Sequence, residues 1–345
     1  MPRFHNHVVL PDGIVREAAA PQRLAVVWSV RDVEALLAAL IASDVLAVKL
    51  DPADTDDFLT TSGTAAFLMV ESDLLDDALV SRITEMRARF RHLTVCVLAG
   101  PDSHAAGLLA AMRAGLTEIV DPGEPQRVPA ALGLQNGSGT HERVLAVGAH
   151  PDDVEIGCGA TLLRHRNLGH PVTVLTLSRG AVGGPREARR REAIGSAIAM
   201  SAELLMGDLE DTGMGEAPEM VTLIEGVIAA VKPTTVYMHS GADNHQDHRA
   251  VHHGMLIAAR RVQQIFCYQS PSSRNDFAPT RFVPVDETIE EKVKVLENYR
   301  SQTTRHYLDP ELIVATGRYW ARQLPHTRYA EPFEVVRATE PADAT

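Results

Sequence analysis

The chain has 345 residues, long enough for two domains of ordinary size. A formal charge of −12 and an aromatic content of 5% exclude general affinity for nucleic acid or an anionic membrane, and they leave few platforms for base stacking. Hydrophobic residues make up 45%, enough for a sizeable core. Cys96, Cys158 and Cys267 are far apart and form no C-x-x-C, so free thiols in a reducing cytoplasm are expected. The first thirteen residues carry no apolar signal region, and the longest apolar run, Leu36 to Ala42, is far short of a membrane span.

Residues 1–125 predict a first domain. Short apolar strands are expected at Leu24–Trp28, Val45–Lys49, Ala65–Val70, Leu93–Leu98 and Thr117–Val120. Helical spacing separates them at Asp32–Ala42, about 75–90 and His104–Ala114. Strands alternating with helices imply a parallel sheet covered on both faces, a doubly wound, flavodoxin-like unit. The stretches Val95–Gly100 and Ala111–Pro122 resemble the last strands of a response-regulator receiver domain. Phosphotransfer in such a domain needs an acidic pair after the first strand, an Asp after the third, a Ser or Thr after the fourth and a late Lys. Here those places hold Trp28-Ser29, Glu71-Ser72, Ala99 and Asp121. The resemblance therefore implies a receiver-like module without phosphoacceptor chemistry, serving as a scaffold or in dimerisation. Asp73, Asp76 and Asp77 read as a helix N-terminus, where negative charge is favourable.

Residues 126–142 read as a linker, most open at Asn136-Gly-Ser-Gly-Thr140, which is too small and polar to bury a core. From 143 to 345 the alternation resumes, so a second Rossmann-like parallel sheet is expected. Its strands are Arg143–Gly148, Val172–Leu177, Glu203–Met206, Thr235–Met238 and Ile265–Tyr268. Helices are expected at about 156–168, 186–200, 218–231, from His248 to about 261, 287–300 and 310–322.

Two of these strands run into polar, histidine-bearing loops. The first is His150-Pro-Asp-Asp153; the second is Ser240-Gly-Ala-Asp-Asn-His-Gln-Asp-His248. Both should lie at the carboxyl edge of one sheet, where α/β proteins place their chemistry. Five of the 15 histidines fall between His239 and His253. His150, Asp153 and His248 offer two nitrogens and a carboxylate with a position left for water, the catalytic rather than the structural zinc pattern. Asp152 is then left to take a proton from that water. Helix capping is the plainer reading of Asp152 and Asp153 taken alone. His248 and His252 form a rival pair at i, i+4, but no Glu stands between them to act as base. The Gly157-x-Gly159 pair follows an acidic loop that would repel a pyrophosphate, so no dinucleotide site is expected.

Ala149-His-Pro-Asp-Asp-Val-Glu-Ile-Gly-Cys-Gly159 with His245-Gln-Asp-His248 resembles the PIG-L/LmbE-like N-deacetylase family. The loop Leu177–Gly180, Arg189-x-x-Glu192-Ala193, Asp211, Lys292–Gln302 and Tyr329–Phe333 match in order, so the resemblance covers about 143–335. It implies a zinc hydrolase acting on an N-acetylated amino sugar, with His150, Asp153 and His248 as ligands and Asp152 as general base. It further implies that His245 stabilises the oxyanion or protonates the amine, that Asp247 orients it, and that Arg189 touches substrate. Gln246 replaces a frequent Pro, and Ser178-Arg-Gly180 replaces a more acidic loop, which leaves the substrate open. Hydrolysis of another C–N bond, another divalent metal, ligand binding without turnover and a homo-oligomer remain open alternatives.

Overall fold

The computed structural model describes residues 10–19, 23–43, 45–56, 66–90, 93–116, 118–132, 142–215 and 218–339. The linker stretch Asn136–Thr140 lies outside them, as do Ala65 and Thr117, the expected starts of two strands. A short strand, β1 (Val15–Ala18), precedes the first alternating unit. Then follow β2 (Arg23–Trp28), α1 (Glu34–Ile41), β3 (Val45–Lys49), β4 (Ala66–Glu71), α2 (Asp77–Arg89), β5 (Leu93–Leu98), α3 (Ala105–Arg113) and β6 (Glu118–Val120). β2 to β6 form an all-parallel sheet in the order β3-β2-β4-β5-β6. That is the doubly wound, flavodoxin-like order. Strand β2 feeds both faces: Leu24, Val26 and Trp28 enter one core, Ala25 and Val27 the other.

At the carboxyl edge of this sheet, buried Glu71 pairs with Arg31 at 2.5 Å and accepts the Ser29 hydroxyl at 2.8 Å. Asp76 caps α2 by accepting the Leu79 N–H at 2.8 Å, as its place at a helix start predicts. Asp73 instead pairs with Arg31 at 2.7 Å and accepts the His104 N–H at 2.9 Å.

The second unit comprises β7 (Val144–Gly148), α4 (Asp153–Asn167), β8 (Val172–Ser178), α5 (Arg186–Met200), β9 (Glu203–Leu209), α6 (Pro218–Val231), β10 (Thr235–His239), α7 (Gln246–Ala258), β11 (Gln264–Tyr268), β12 (Arg281–Pro284), α8 (Ile289–Leu296), α9 (Pro310–Trp320) and β13 (Ala330–Ala338). Its eight-stranded sheet runs β1-β9-β8-β7-β10-β11-β13-β12. The five central strands, β9 to β11, are parallel. The edges are not: β1 pairs antiparallel to β9, and β13 antiparallel to both β11 and β12. These edge strands escape a β/α alternation pattern because no crossover helix announces them. The chain leaves β7 toward β8 and β9 on one side and returns to β10 and β11 on the other, so β7 and β10 flank the topological switch point.

All five residues of β7 are buried, with Leu145 and Val147 facing one core and Val144 and Ala146 the other. An apolar run of this kind is what a parallel strand covered on both faces requires. Among the described residues, no helix is long and apolar enough to cross a membrane.

Candidate metal centre at the switch point

The carboxyl ends of β7 and β10 deliver the polar loops side by side. His150 follows β7, His239 ends β10, and α4 and α7 begin with Asp153 and Gln246. Helix α4 therefore starts three residues earlier than its apolar spacing suggests, and Asp153 sits in its first turn. Asp152 precedes it with φ of 96°, a left-handed conformation that Asp and Asn tolerate better than most residues.

Asp153 is the hub. Its Oδ1 lies 3.3 Å from His248 Nε2, and its Oδ2 lies 3.4 Å from His150 Nδ1 and 3.1 Å from His239 Nε2. The His150 backbone N–H also donates to Oδ2 at 2.7 Å. The far nitrogen of each expected ligand is anchored. His248 Nδ1 meets Asp243 at 3.0 Å, and His150 Nε2 meets both Asp211 and Asp247 at 3.1 Å. Metal-binding histidines are commonly held in this way, with a carboxylate fixing tautomer and ring orientation.

His245 joins the cluster from the N-cap of α7. Its ring stacks on His248 at 4.5 Å and meets His150 edge-on at 4.9 Å. The Asp247 backbone N–H donates to its Nδ1 at 3.2 Å, which leaves the proton of a neutral ring on Nε2. The carboxylate of Asp247 is occupied elsewhere: besides His150 it accepts the Thr212 N–H at 2.7 Å. Asp247 thus orients His245 through its main chain, and its side chain serves His150.

Arg189 lies inward of the expected substrate surface. Only 3% exposed, it donates to Asp152 Oδ2 at 3.1 Å and to the Pro151 carbonyl at 2.5 Å. Gly180, with φ of +62°, makes room for it, since a Cβ there would come within 2.9 Å of the Arg189 Nε.

Charge explains the remaining behaviour. Burial pushes Asp152 up to about 7, Arg189 opposes this, and Asp153 reinforces it. Burial also acts to raise Asp153, but His248 and His239 prevail and hold it well below the usual carboxylate range. Burial disfavours charge on the imidazoles, yet the surrounding aspartates push His150 up to about 12 and His248 to about 9. His239 has less carboxylate around it, and burial brings it down to about 4. Asp153, Asp211, Asp243 and Asp247 thus gather round the imidazoles of His150 and His248, while Asp152 pairs with Arg189, so the cluster favours positive charge at the imidazole edge. The donor set of imidazole nitrogen and carboxylate oxygen suits zinc. His150, His245 and His248 bring ligand atoms within 4.8 Å of one another, as do Asp153, His239 and His248.

The loop spacing brings His150, Asp152, Asp153, His245 and His248 together without saying what holds them. Asp243 and His239 are the residues it misses as site members. Asp243, fully buried, accepts hydrogen bonds from His248, Ser270 and Ser272. Its place five residues before His248 was the available signal; for His239 it was the end of a strand beside His150.

Residues 145–259 match the family described as PIG-L, GlcNAc-PI de-N-acetylase. The uncharacterized deacetylase YaiS of Escherichia coli K12 is 30% identical over 177 residues, 49% of this chain and 96% of that protein. The 1D-myo-inositol 2-acetamido-2-deoxy-alpha-D-glucopyranoside deacetylase of Kineococcus radiotolerans is 36% identical over 89 residues, 24% of this chain and 25% of that one. The conserved protein TT1542 from Thermus thermophilus superposes with a TM-score of 0.53 at 26% identity, covering 59% of this chain and 99% of its own.

Proposed function

The chain belongs to the PIG-L deacetylase family, and on that footing we propose that it is a zinc-dependent hydrolase that removes the acetyl group of an N-acetylated amino sugar or glycoconjugate. The observation that carries this reading is the convergence of two carboxylate-anchored imidazoles on the two oxygens of Asp153, beside an Asp152 whose carboxylate pairs with Arg189. A zinc ion held by His150, Asp153 and His248 would polarise the amide carbonyl and make water acidic enough to lose a proton near neutral pH. Asp152 accepts that proton as the water oxygen bonds to the carbonyl carbon. Its raised pKa suits a base that must later return the proton. Arg189 fixes the Asp152 carboxylate through Oδ2 and restrains its pKa from rising further. His245 donates its Nε2–H to the carbonyl oxygen as negative charge builds there, an interaction strongest in the transition state. The C–N bond then breaks, Asp152 passes its proton to the departing amine, and acetate is the second product. The acetylated glucosaminide named for the Kineococcus relative supports the sugar class.

Asp152→Asn tests the base. Asn keeps the left-handed backbone and an oxygen for Arg189 but cannot take a proton. Zinc content should stay at the wild-type level while kcat falls by about 10²- to 10⁴-fold. Wild-type turnover in that variant would overturn the assignment. A panel of N-acetylated amino sugars set against other amides, scored by free amine and acetate, tests the substrate class. Amine release without acetate would point to hydrolysis of a different C–N bond.

A further inference from the structure

Helix α4, which begins with Asp153, is broken at Cys158, where φ is −144° and ψ is 17°. An unbroken helix would donate the Ala160 and Thr161 N–H groups to the carbonyls of residues 156 and 157. Here both donate to the two oxygens of Glu331, at 3.2 and 2.7 Å. The Ile156 carbonyl instead accepts Lys292 Nζ at 2.7 Å, and Lys292 pairs with Glu331 at 2.6 Å. One buried ion pair therefore supplies an acceptor for two orphaned donors and a donor for one orphaned acceptor. Its side chains are 6% and 4% exposed and arrive from α8 and β13, far along the chain. The Thr288 hydroxyl adds a bond to the Ala160 carbonyl at 2.9 Å.

The break sets the first turn, Asp153 to Gly157, at its own angle. Gly157 lies so near Tyr268 that a Cβ would come within 2.2 Å of the ring, and the Tyr268 hydroxyl is tied to the Val147 carbonyl at 2.8 Å. A buried ion pair adds little to stability compared with apolar residues of the same volume. This one sits where the helix ladder is interrupted, and its effect falls on the turn that carries the hub aspartate.

We propose that Lys292 and Glu331 are positioning residues for the reaction: they hold the broken helix open so that its first turn places Asp152 and Asp153. This rests on the roles given to those two aspartates above. The test compares wild type with Glu331→Gln, Lys292→Met and the double variant Lys292→Met/Glu331→Gln. Three quantities are measured: amide exchange of the 150–158 segment in metal-free protein, zinc affinity by chelator competition, and kcat with KM. The double variant leaves no unpaired buried charge, so it should stay folded, with a melting point lowered by the partners that the Ile156 carbonyl and one of the two N–H groups lose. It should still show faster exchange confined to 150–158. Zinc affinity and kcat should each fall by about tenfold or more, as when a metal ligand loses its support, with KM little changed. A double variant with wild-type exchange, zinc affinity and kcat would overturn the proposal, because a purely structural pair is replaced at no cost to the site. Wild-type protein that binds no zinc would sink the metal reading instead, and the exchange of 150–158 would still judge the pair.

Discussion

Glu17→Gln probes how the N-terminal strand is tied to the eight-stranded sheet. The β1–β9 register slips between Arg16 and Ala18, so Glu17 is the bulged residue. A bulge re-aims a side chain, and this one turns Glu17 toward α5 and the loop after β8. There its carboxylate accepts Arg179 Nη1 at 3.1 Å and Arg190 Nε at 2.8 Å, and a second Arg190 nitrogen reaches its other oxygen. The Arg190 hydrogen bond holds Glu17 below its ordinary pKa against the effect of burial. Removing one partner of a fully buried pair costs about 3–5 kcal/mol. Two features reduce that here. Arg190 is 33% exposed and can rehydrate, and Arg179 retains Asp208 at 3.5 Å. A loss of about 2 kcal/mol is the balance, between exposed and buried pairs. For a unit of roughly 200 residues that corresponds to a drop in Tm of about 4–8 °C. Thermal unfolding of wild type and Glu17→Gln, followed from about pH 7 downward, measures it. A carboxylate with a lowered native pKa stabilises above its unfolded pKa and loses that contribution as pH falls through the native value. The gap between the proteins should therefore be full at neutral pH and close on acidification. A neutral-pH gap below about 1 °C, or one that survives acidification unchanged, would refute the ion-pair account.

Asp243→Asn keeps one acceptor oxygen but removes the carboxylate charge that holds His248 Nδ1; zinc affinity should fall by about 10- to 100-fold in chelator competition, and an unchanged affinity would mean that a neutral acceptor suffices to orient the ring. Gly157→Ala gains roughly 1 kcal/mol of helix propensity but drives a Cβ into Tyr268, whose ring is held by its hydroxyl bond. Overpacking at about 1–3 kcal/mol wins, so both melting point and zinc affinity should drop, and a more stable variant would contradict this. His165 is buried between the Tyr237 hydroxyl at 2.8 Å and His170 at 2.9 Å, and burial takes it down to about 3 even with Glu142 3.7 Å away. Its unfolded form binds a proton first, so its contribution is complete above the ordinary histidine pKa and declines by about 1.4 kcal/mol per pH unit as pH falls toward the native value. Denaturant midpoints should fall less steeply with acid in His165→Gln; parallel curves would exclude the effect.

The two polar loops were legible in the sequence because each ends an apolar strand, and strand ends on one sheet edge must meet. That reasoning places His150 beside His248 without any knowledge of distance. It cannot reach Asp247, whose two hydrogen-bonding halves serve different histidines: the N–H caps α7 through His245, and the carboxylate crosses to His150. Nor can it reach Arg189, since a basic helix reads as a solvated face until the left-handed Gly180 opens a slot behind it. The edge strands were hidden for a different reason. β1 is four residues long and borrows its partner from β9, nearly two hundred positions away, and β13 runs antiparallel with half-exposed Val335 and Val336. Both hidden strands nonetheless bear on the site. β1 supplies Glu17, which ties down the arginine next to Arg189, and β13 supplies Glu331, which props the helix of Asp153. The five parallel strands thus bring the candidate site residues together, and the antiparallel strands at the two edges brace the helices that carry them.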